Sequence, residues 1–341
     1  MNRSPSELIR LADGVHVWAP DGSNTWGWAN CVLFGSGGEA ALVDTPYTAE
    51  LTRALQAAAA RVLPAGTDVR TVVNTHANGD HSFGNCLFPD AEVVSTAANL
   101  AHAAVEPGPP EMEALVVGTD PATPLGWYMR QHFPHDYSGV SLRLPDRTFS
   151  GRETLHVGEL TLELIETGPA HTQGDLIVHV PERRLVCAGD VVFLGDHPTH
   201  WAGPLAGVID ACDVMLDLDP EIVVPGHGPV TDQAGLRAHQ DYLRHVRSRI
   251  HARHADGWSA QDTAAELVAE GRHPELGLPE RQAILAALEY WHLDGNTGQA
   301  DVLYLVDGMA RLAYDRHVSS GRPAVPGSWE AGRSHAEEPA G

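Results

Sequence analysis

The first half of the chain alternates short apolar runs with Gly, Pro and Asn, at residues 14–18, 30–34 and 40–44, a pattern that predicts the strands of a β-meander. Residues 47–63 are Ala-rich with helical spacing, and residues 68–74 return to an apolar strand. A further strand is predicted at 92–95, then a helix over 96–105 that stops at Pro107-Gly108-Pro109-Pro110. From 106 to about 150 the rhythm breaks. Trp127, Tyr128, Met129, His132, Phe133, His135 and Tyr137 are scattered among turn residues, so this stretch is expected to be an insertion. It lies either as a lid over a pocket or as a loop covering a sheet edge. Strands resume over 154–193, with reversals at 157–160 and 181–184, and residues 221–224 lead into Pro225-Gly226-His227-Gly228-Pro229. Beyond Thr231 apolar residues recur with helical spacing through 236–250, 260–269 and 280–290.

This reading divides the chain into a catalytic domain at 1–232 with an insertion at 106–150, a helical segment at 233–318, and a disordered tail at 319–341 rich in Gly, Pro, Ser and Glu. There is no internal repeat. Hydrophobic residues make up 43% and charged residues 20%, which places the bulk of the chain among folded globular proteins. With 22 basic against 45 acidic side chains, the formal charge of -23 repels a phosphate backbone, and nucleic acid is excluded as a partner. Residues 1–7 lack a basic stretch followed by an apolar core, and no apolar run reaches membrane-spanning length, so a cytoplasmic protein with no membrane partner is expected. Cys31, Cys86, Cys187 and Cys212 form no CxxC pair and read as reduced, mostly buried thiols.

The chemistry concentrates in Asn74-Thr75-His76-Ala77-Asn78-Gly79-Asp80-His81-Ser82-Phe83-Gly84-Asn85, where a buried strand gives way to a loop. Imidazole and carboxylate suit Zn, Fe and Mn, and a short polar turn can aim them at two adjacent metal positions. Three later segments repeat the pattern of a ligand just past an apolar strand or in a Gly-rich turn. They are Thr167-Gly168-Pro169-Ala170-His171-Thr172, Cys187-Ala188-Gly189-Asp190 and Pro225-Gly226-His227-Gly228. His197 and His200 follow Asp190 closely and, with Trp127 and Tyr128, are candidates for the pocket lining.

These four segments, in this order over about residues 15–230, resemble the metallo-β-lactamase superfamily, whose signature is His-x-His-x-Asp-His followed by a His, a bridging Asp and a final His. The resemblance implies an α+β fold, a four-layer αββα sandwich, here with the helical C-terminal segment appended. It also implies that His76, Asn78 and His171 surround a first metal, that Asp80, His81 and His227 surround a second, and that Asp190 bridges them. Asp44 matches a position that usually supports the ligands from behind. One residue departs from the signature: Asn78 stands at the second His, and a neutral amide oxygen is the weaker donor. A dinuclear site with Asn78 as a poor or water-mediated ligand, a partly filled first site, and a mononuclear site at Asp80, His81 and His227 are all open.

The expected reaction is hydrolysis of an ester, thioester or lactone carbonyl by metal-activated water, with Asp80 as ligand and orienter of the nucleophile. The expected cofactor is one or two Zn2+, with Fe or Mn as alternatives, and the substrate is a small molecule or a carrier-bound acyl group. The Thr-His-Ala-Asn-Gly-Asp-His-x-x-Gly-Asn variant is similar to the actinorhodin-type aromatic polyketide cyclases and thioesterases, which implies aldol cyclisation in antibiotic biosynthesis as an alternative. A mononuclear-iron sulfur dioxygenase and a non-catalytic binding protein are two further alternatives. The C-terminal helices, with Tyr290 and Trp291, are expected to form either a homodimer surface or a wall of the pocket.

Overall fold

The computed structural model describes residues 7–20 and 26–320. Two sheets form its centre. The first runs in spatial order β1 (Ile9–Ala12), β2 (Val15–Trp18), β3 (Cys31–Ser36), β4 (Glu39–Val43), β5 (Val69–Val73), β6 (Glu92–Thr96) and β7 (Arg147–Phe149). Strands β1 to β4 pair antiparallel, whereas β4 to β7 pair parallel and need crossovers. The crossovers are α1 (Ala49–Val62), then the single-turn α2 (Gly79–Ser82), then α3 (Ala97–Ala103), α4 (Pro109–Gly118) and α5 (Pro124–His132). The second sheet holds β8 (Arg152–Val157), β9 (Leu160–Glu166), β10 (Leu176–Val180), β11 (Leu185–Phe193) and β12 (Ile222–His227), and β12 joins the edge parallel to β11 after α6 (Leu205–Asp217).

Period-two alternation turns Val15, Val17, Phe34, Val43 and Val73 of the first sheet toward Leu162, Leu164, Leu176, Val178 and Leu185 of the second. The opposite face of the first sheet, with Leu33, Leu42, Val72 and Val93, is covered by Leu51 and Leu55 of α1. Thr48 caps that helix by accepting from Leu51 N. The outer face of the second sheet packs Ile165, Ile177 and Val186 against Val208 and Cys212 of α6 and Leu236, Leu243 and Ile250 of α7 (Gln233–Ala255). The layers are therefore helix, sheet, sheet, helix, the αββα arrangement that the resemblance implied.

The remaining helices, α8 (Ala260–Glu270), α9 (Gln282–Leu293) and α10 (Val302–Ser319), belong to the same core, into which they send Leu267, Ile284, Leu285, Leu305 and Met309. The helical segment is thus fused to the outer face of the second sheet. The stretch at 106–150 differs from its loop-like reading, because it holds α4 and α5, each opened by Pro in its first turn. Leu115, Val116 and Val117 are consecutive in α4 and make no apolar stripe, which hides that helix from a periodicity test. The four cysteines are unpaired. Among the described residues no helix is long and apolar enough to cross a membrane. The tail expected at 319–341 lies, from 321 onward, outside the described residues.

Candidate metal centre

All the ligand-type residues meet at one end of the two sheets. His76 follows β5, Asp80 and His81 sit on α2 with Asn78 at its N-cap, His171 lies between β9 and β10, Asp190 is within β11, and His227 ends β12. They form two groups, His76 with His171 and Asp190, and Asp80 with His81 and His227, each with its ligand atoms within 4.8 Å of one another. Asp190 Oδ2 lies 3.8 Å from His76 Nε2, 3.5 Å from His171 Nε2 and 3.3 Å from His227 Nε2, so one carboxylate spans both groups. In the second group His227 Nε2 is 3.4 Å from Asp80 Oδ2 and 3.4 Å from His81 Nε2. Donors about 2.0–2.1 Å from a tetrahedral ion stand about 3.4 Å apart, which is the spacing found here. At Gly226 any Cβ would overlap the carboxylate of Asp190, which accounts for glycine beside the last histidine.

Hydrogen bonds behind the cluster decide which ring nitrogen of each histidine faces inward. Asp44, buried at a positive φ of 62°, accepts from Thr75 N at 2.8 Å, from Thr75 Oγ1 at 2.7 Å and from His81 Nδ1 at 2.9 Å. With its proton given to Asp44, the Thr75 hydroxyl accepts from His76 Nδ1 at 3.0 Å. His171 Nδ1 donates to Thr199 O at 2.7 Å. Each of these three rings therefore carries its proton on Nδ1 and turns the lone pair of Nε2 into the site, as metal-ligating histidines do.

The charges fit the same reading. Burial alone would raise the carboxylate of Asp190, yet the four surrounding histidines, His227 foremost, hold it well below the usual range. Burial likewise opposes ionisation of Asp80, and His81 and His227 bring it below normal. Burial works against protonation of His227 too, but Asp190 and Asp80 raise it to about 9. His76 and His171 are pushed down by burial, the latter to about 4. Two carboxylates, Asp190 and Asp80, thus gather positive charge around them, which is what a divalent cation would supply. Among the buried atoms without a hydrogen-bond partner is His76 Nε2, a ligand atom of the first group. The residues present fit a metal of the Zn, Fe or Mn type.

Asn78 sits with the first group, its Oδ1 2.8 Å from His171 Nε2. Both atoms are acceptors when His171 is neutral with its proton on Nδ1, so this contact needs a cation between them or a turned amide.

A cavity of ≈ 320 Å³ opens over Asn78, Asp80, His171 and Asp190. Its walls come from Trp26, Tyr47, Val105, Phe193 and Trp201, from Met112, Leu115, Met129 and Phe133 of the insertion, and from Leu303, Val306 and Met309 of α10. Residues of the 106–150 stretch thus line the pocket, and the pocket wall among the C-terminal helices is α10. Tyr290 is buried with its hydroxyl 2.8 Å from Thr263 Oγ1, and Trp291 packs partly buried on the same core.

Four residues expected in the lining lie elsewhere. Met129 and Phe133, one helical turn apart, take the cavity face of α5. Trp127 is thereby directed at Tyr314 and His317 of α10, and Tyr128 into the core, where its hydroxyl accepts from Trp26 Nε1 at 2.9 Å. His197 is turned away to the hydroxyl of Tyr242, 2.7 Å from Nδ1. His200 is fully buried with its ring 5.8 Å from that of His171, and it is Thr199 and Trp201 that border the cavity. Trp26, Tyr47 and the α10 residues were not anticipated. Tyr47, three residues after Asp44 at the end of β4, was the one within reach of a positional argument.

A family model described as the metallo-beta-lactamase superfamily matches residues 24–227. The chain belongs to that superfamily. It is 29% identical over 170 residues to the 2,4-dinitroanisole O-demethylase subunit alpha of Nocardioides sp. (strain JS1661), a match covering 47% of this chain and 40% of that protein. The match thus spans well under two thirds of the relative's length. Among solved structures, the inverting sec-alkylsulfatase Pisa1 from Pseudomonas sp. superposes with a TM-score of 0.64 at 14% identity, over 84% of this chain and 50% of that one. A metallo-beta-lactamase from Pontibacter korlensis does so at 0.51 and 19% identity, over 70% of this chain and 98% of that one. At such identities the likeness shows the fold alone.

Proposed function

We propose that this superfamily member is a metal-dependent hydrolase acting on an ester, thioester or lactone carbonyl of a hydrophobic small-molecule or carrier-bound acyl substrate. The observation that carries the reading is the convergence of six His and Asp side chains, three of the imidazoles fixed by hydrogen bonds with Nε2 inward, at a largely apolar cavity that Asp80, His171 and Asp190 of the six line. Zn2+ is the expected ion, with Fe or Mn as alternatives. His76, Asn78, His171 and Asp190 would hold one ion, and Asp80, His81, His227 and Asp190 a second. A metal bound there acidifies water and polarises a carbonyl oxygen.

The chain's own groups do the rest. Asp80 borders the cavity as a carboxylate, so it orients the attacking water and accepts its hydrogen bond. Trp26 and Phe133, stacked with centroids 5.4 Å apart, and Trp201, 6.0 Å from Trp26, hold the substrate body and keep bulk water from the floor. The aromatic walls also suit a flat polyketide, so aldol cyclisation of a carrier-bound chain is the second reading.

The test is elemental analysis of protein purified without chelator, together with assays on 4-nitrophenyl esters, acyl thioesters and a carrier-bound polyketide. One to two equivalents of metal are expected, and Asp80→Asn and His227→Ala should lose metal and activity together. Protein free of metal would refute the proposal. Release of free thiol without ring formation would count against the cyclase.

A further inference from the structure

Away from the ligand cluster, the charge on the cavity walls is all of one sign. Glu106 and Asp301 line the cavity, and among the described residues no Arg lines it, although the chain carries 22 basic side chains, all of them Arg. Glu106 follows α3 and holds its Oε1 2.7 Å from His102 Nε2. Asp301 caps α10, its Oδ1 accepting from Leu303 N at 3.0 Å and Tyr304 N at 3.2 Å. Arg281 is the nearest cation but does not line the cavity: it is buried behind the wall, its guanidinium 4.1 Å from the ring centroid of Trp26 and 5.8 Å from that of Phe193, and it donates to His197 O. Apart from Tyr47, Thr199 and Gln299, which are uncharged, the other wall residues are apolar, and exposed Val105 and Leu303 carry the apolar lining out to the surface.

We infer that the substrate of this site is uncharged along its apolar body, and that Glu106 and Asp301 reject acyl chains bearing a carboxylate or other anionic group. The inference rests on the hydrolase reading above and adds charge selectivity to it. One carboxylate alone, at an effective dielectric constant near 20, disfavours an anion about 7 Å away about 50-fold, a figure that the positive metal centre and the solvent exposure of Asp301 lower. Hydroxyl or amine groups at the same place are tolerated, because both side chains can accept from them.

The test uses metal-loaded enzyme and a matched pair of esters, 4-nitrophenyl pentanoate and 4-nitrophenyl hydrogen glutarate, which differ by one terminal carboxylate. The neutral ester is expected to have a kcat/KM at least about tenfold higher. In the double variant Glu106→Gln, Asp301→Asn that ratio should collapse toward one. Gln keeps an acceptor for His102 and Asn remains a good helix cap, so folding, checked by circular dichroism, is preserved. Quenching of tryptophan fluorescence by the same esters reads binding without turnover. If neither ester is cleaved but the neutral one binds at least about tenfold tighter, the hydrolase reading fails and the charge selectivity stands. Equal or better binding and turnover of the glutarate ester by the wild type, or a ratio unchanged in the double variant, overturns the inference.

Discussion

Replacing Asp44 by Asn tests whether the hydrogen bonds behind the ligands set the tautomers in front. Asn tolerates the positive φ of this position, so the backbone is not disturbed. The carboxylate now accepts three hydrogen bonds, from Thr75 N, Thr75 Oγ1 and His81 Nδ1. An amide has one acceptor oxygen. If that oxygen stays with Thr75 N, the NH2 group faces the hydroxyl of Thr75 and the ring of His81, both of which must then accept. His81 would shift its proton to Nε2, and Thr75, donating instead to His76 Nδ1, would force the same shift there. Two inward lone pairs are lost through one substitution. Loss of such a partner weakens metal binding about 10- to 100-fold, or about 1.4–2.7 kcal/mol. Competition with a chromophoric chelator reads the affinity, and calorimetry with and without metal reads stability. The metal-dependent rise in Tm should shrink, because ligand stabilisation follows the ratio of free metal to Kd. A Kd within twofold of the wild type, with Tm lowered equally in both states, would refute the tautomer argument and leave Asp44 a purely structural role.

Asn78→His should raise occupancy of the first site toward one full equivalent, measured by elemental analysis; unchanged stoichiometry would mean that Asn78 is not placed as a ligand. Val306→Trp, which fills the cavity from α10, should raise KM for a hydrophobic ester about tenfold or more with metal content intact, and an unaltered KM would remove α10 from the binding wall. Burial pushes His239, whose Nε2 donates to Val191 O, down to about 4. Between pH 6.5 and 4 the unfolded chain therefore binds more protons than the folded one, so the stability His239 contributes is present above 6.5 and lost as pH falls toward 4, up to about 3 kcal/mol. Urea unfolding of His239→Gln should show a flatter pH slope over that window, and an identical slope would contradict the assignment.

The sheets and the ligand cluster were legible in the sequence for a local reason. Each strand announces itself by alternation or by an apolar run, and each ligand sits within a few residues of a strand end or in a Gly-rich turn. The insertion was harder. Its helices depend on packing rather than periodicity, and in α5 a guess by residue type chose Trp127 and Tyr128, whereas the helix rotation presents Met129 and Phe133 to the cavity. His197 and His200 follow Asp190 closely, yet it is Thr199, through its carbonyl oxygen, and Trp201, through its side chain, that serve the site.

The floor and the walls of the cavity differ in how strictly they constrain residue type. A ligand position accepts only a few donors and forces a glycine at Gly226 as well, so its record is written in short motifs. A wall position accepts any apolar side chain of suitable size, and the walls here are gathered from Trp26, the insertion, the stretch from Phe193 to Trp201 and α10, nearly the whole length of the chain. Nothing in such dispersed positions marks them as neighbours until the chain is folded. Metal-site chemistry is therefore the part that motifs can record, whereas the inferred charge selectivity depends on residues such as Glu106 and Asp301, one bonded to His102 and the other capping α10, each of which reads in isolation as ordinary helix-end chemistry. Only in the folded chain do both line one lumen that no Arg lines among the described residues, and the inferred charge selectivity rests on that shared position.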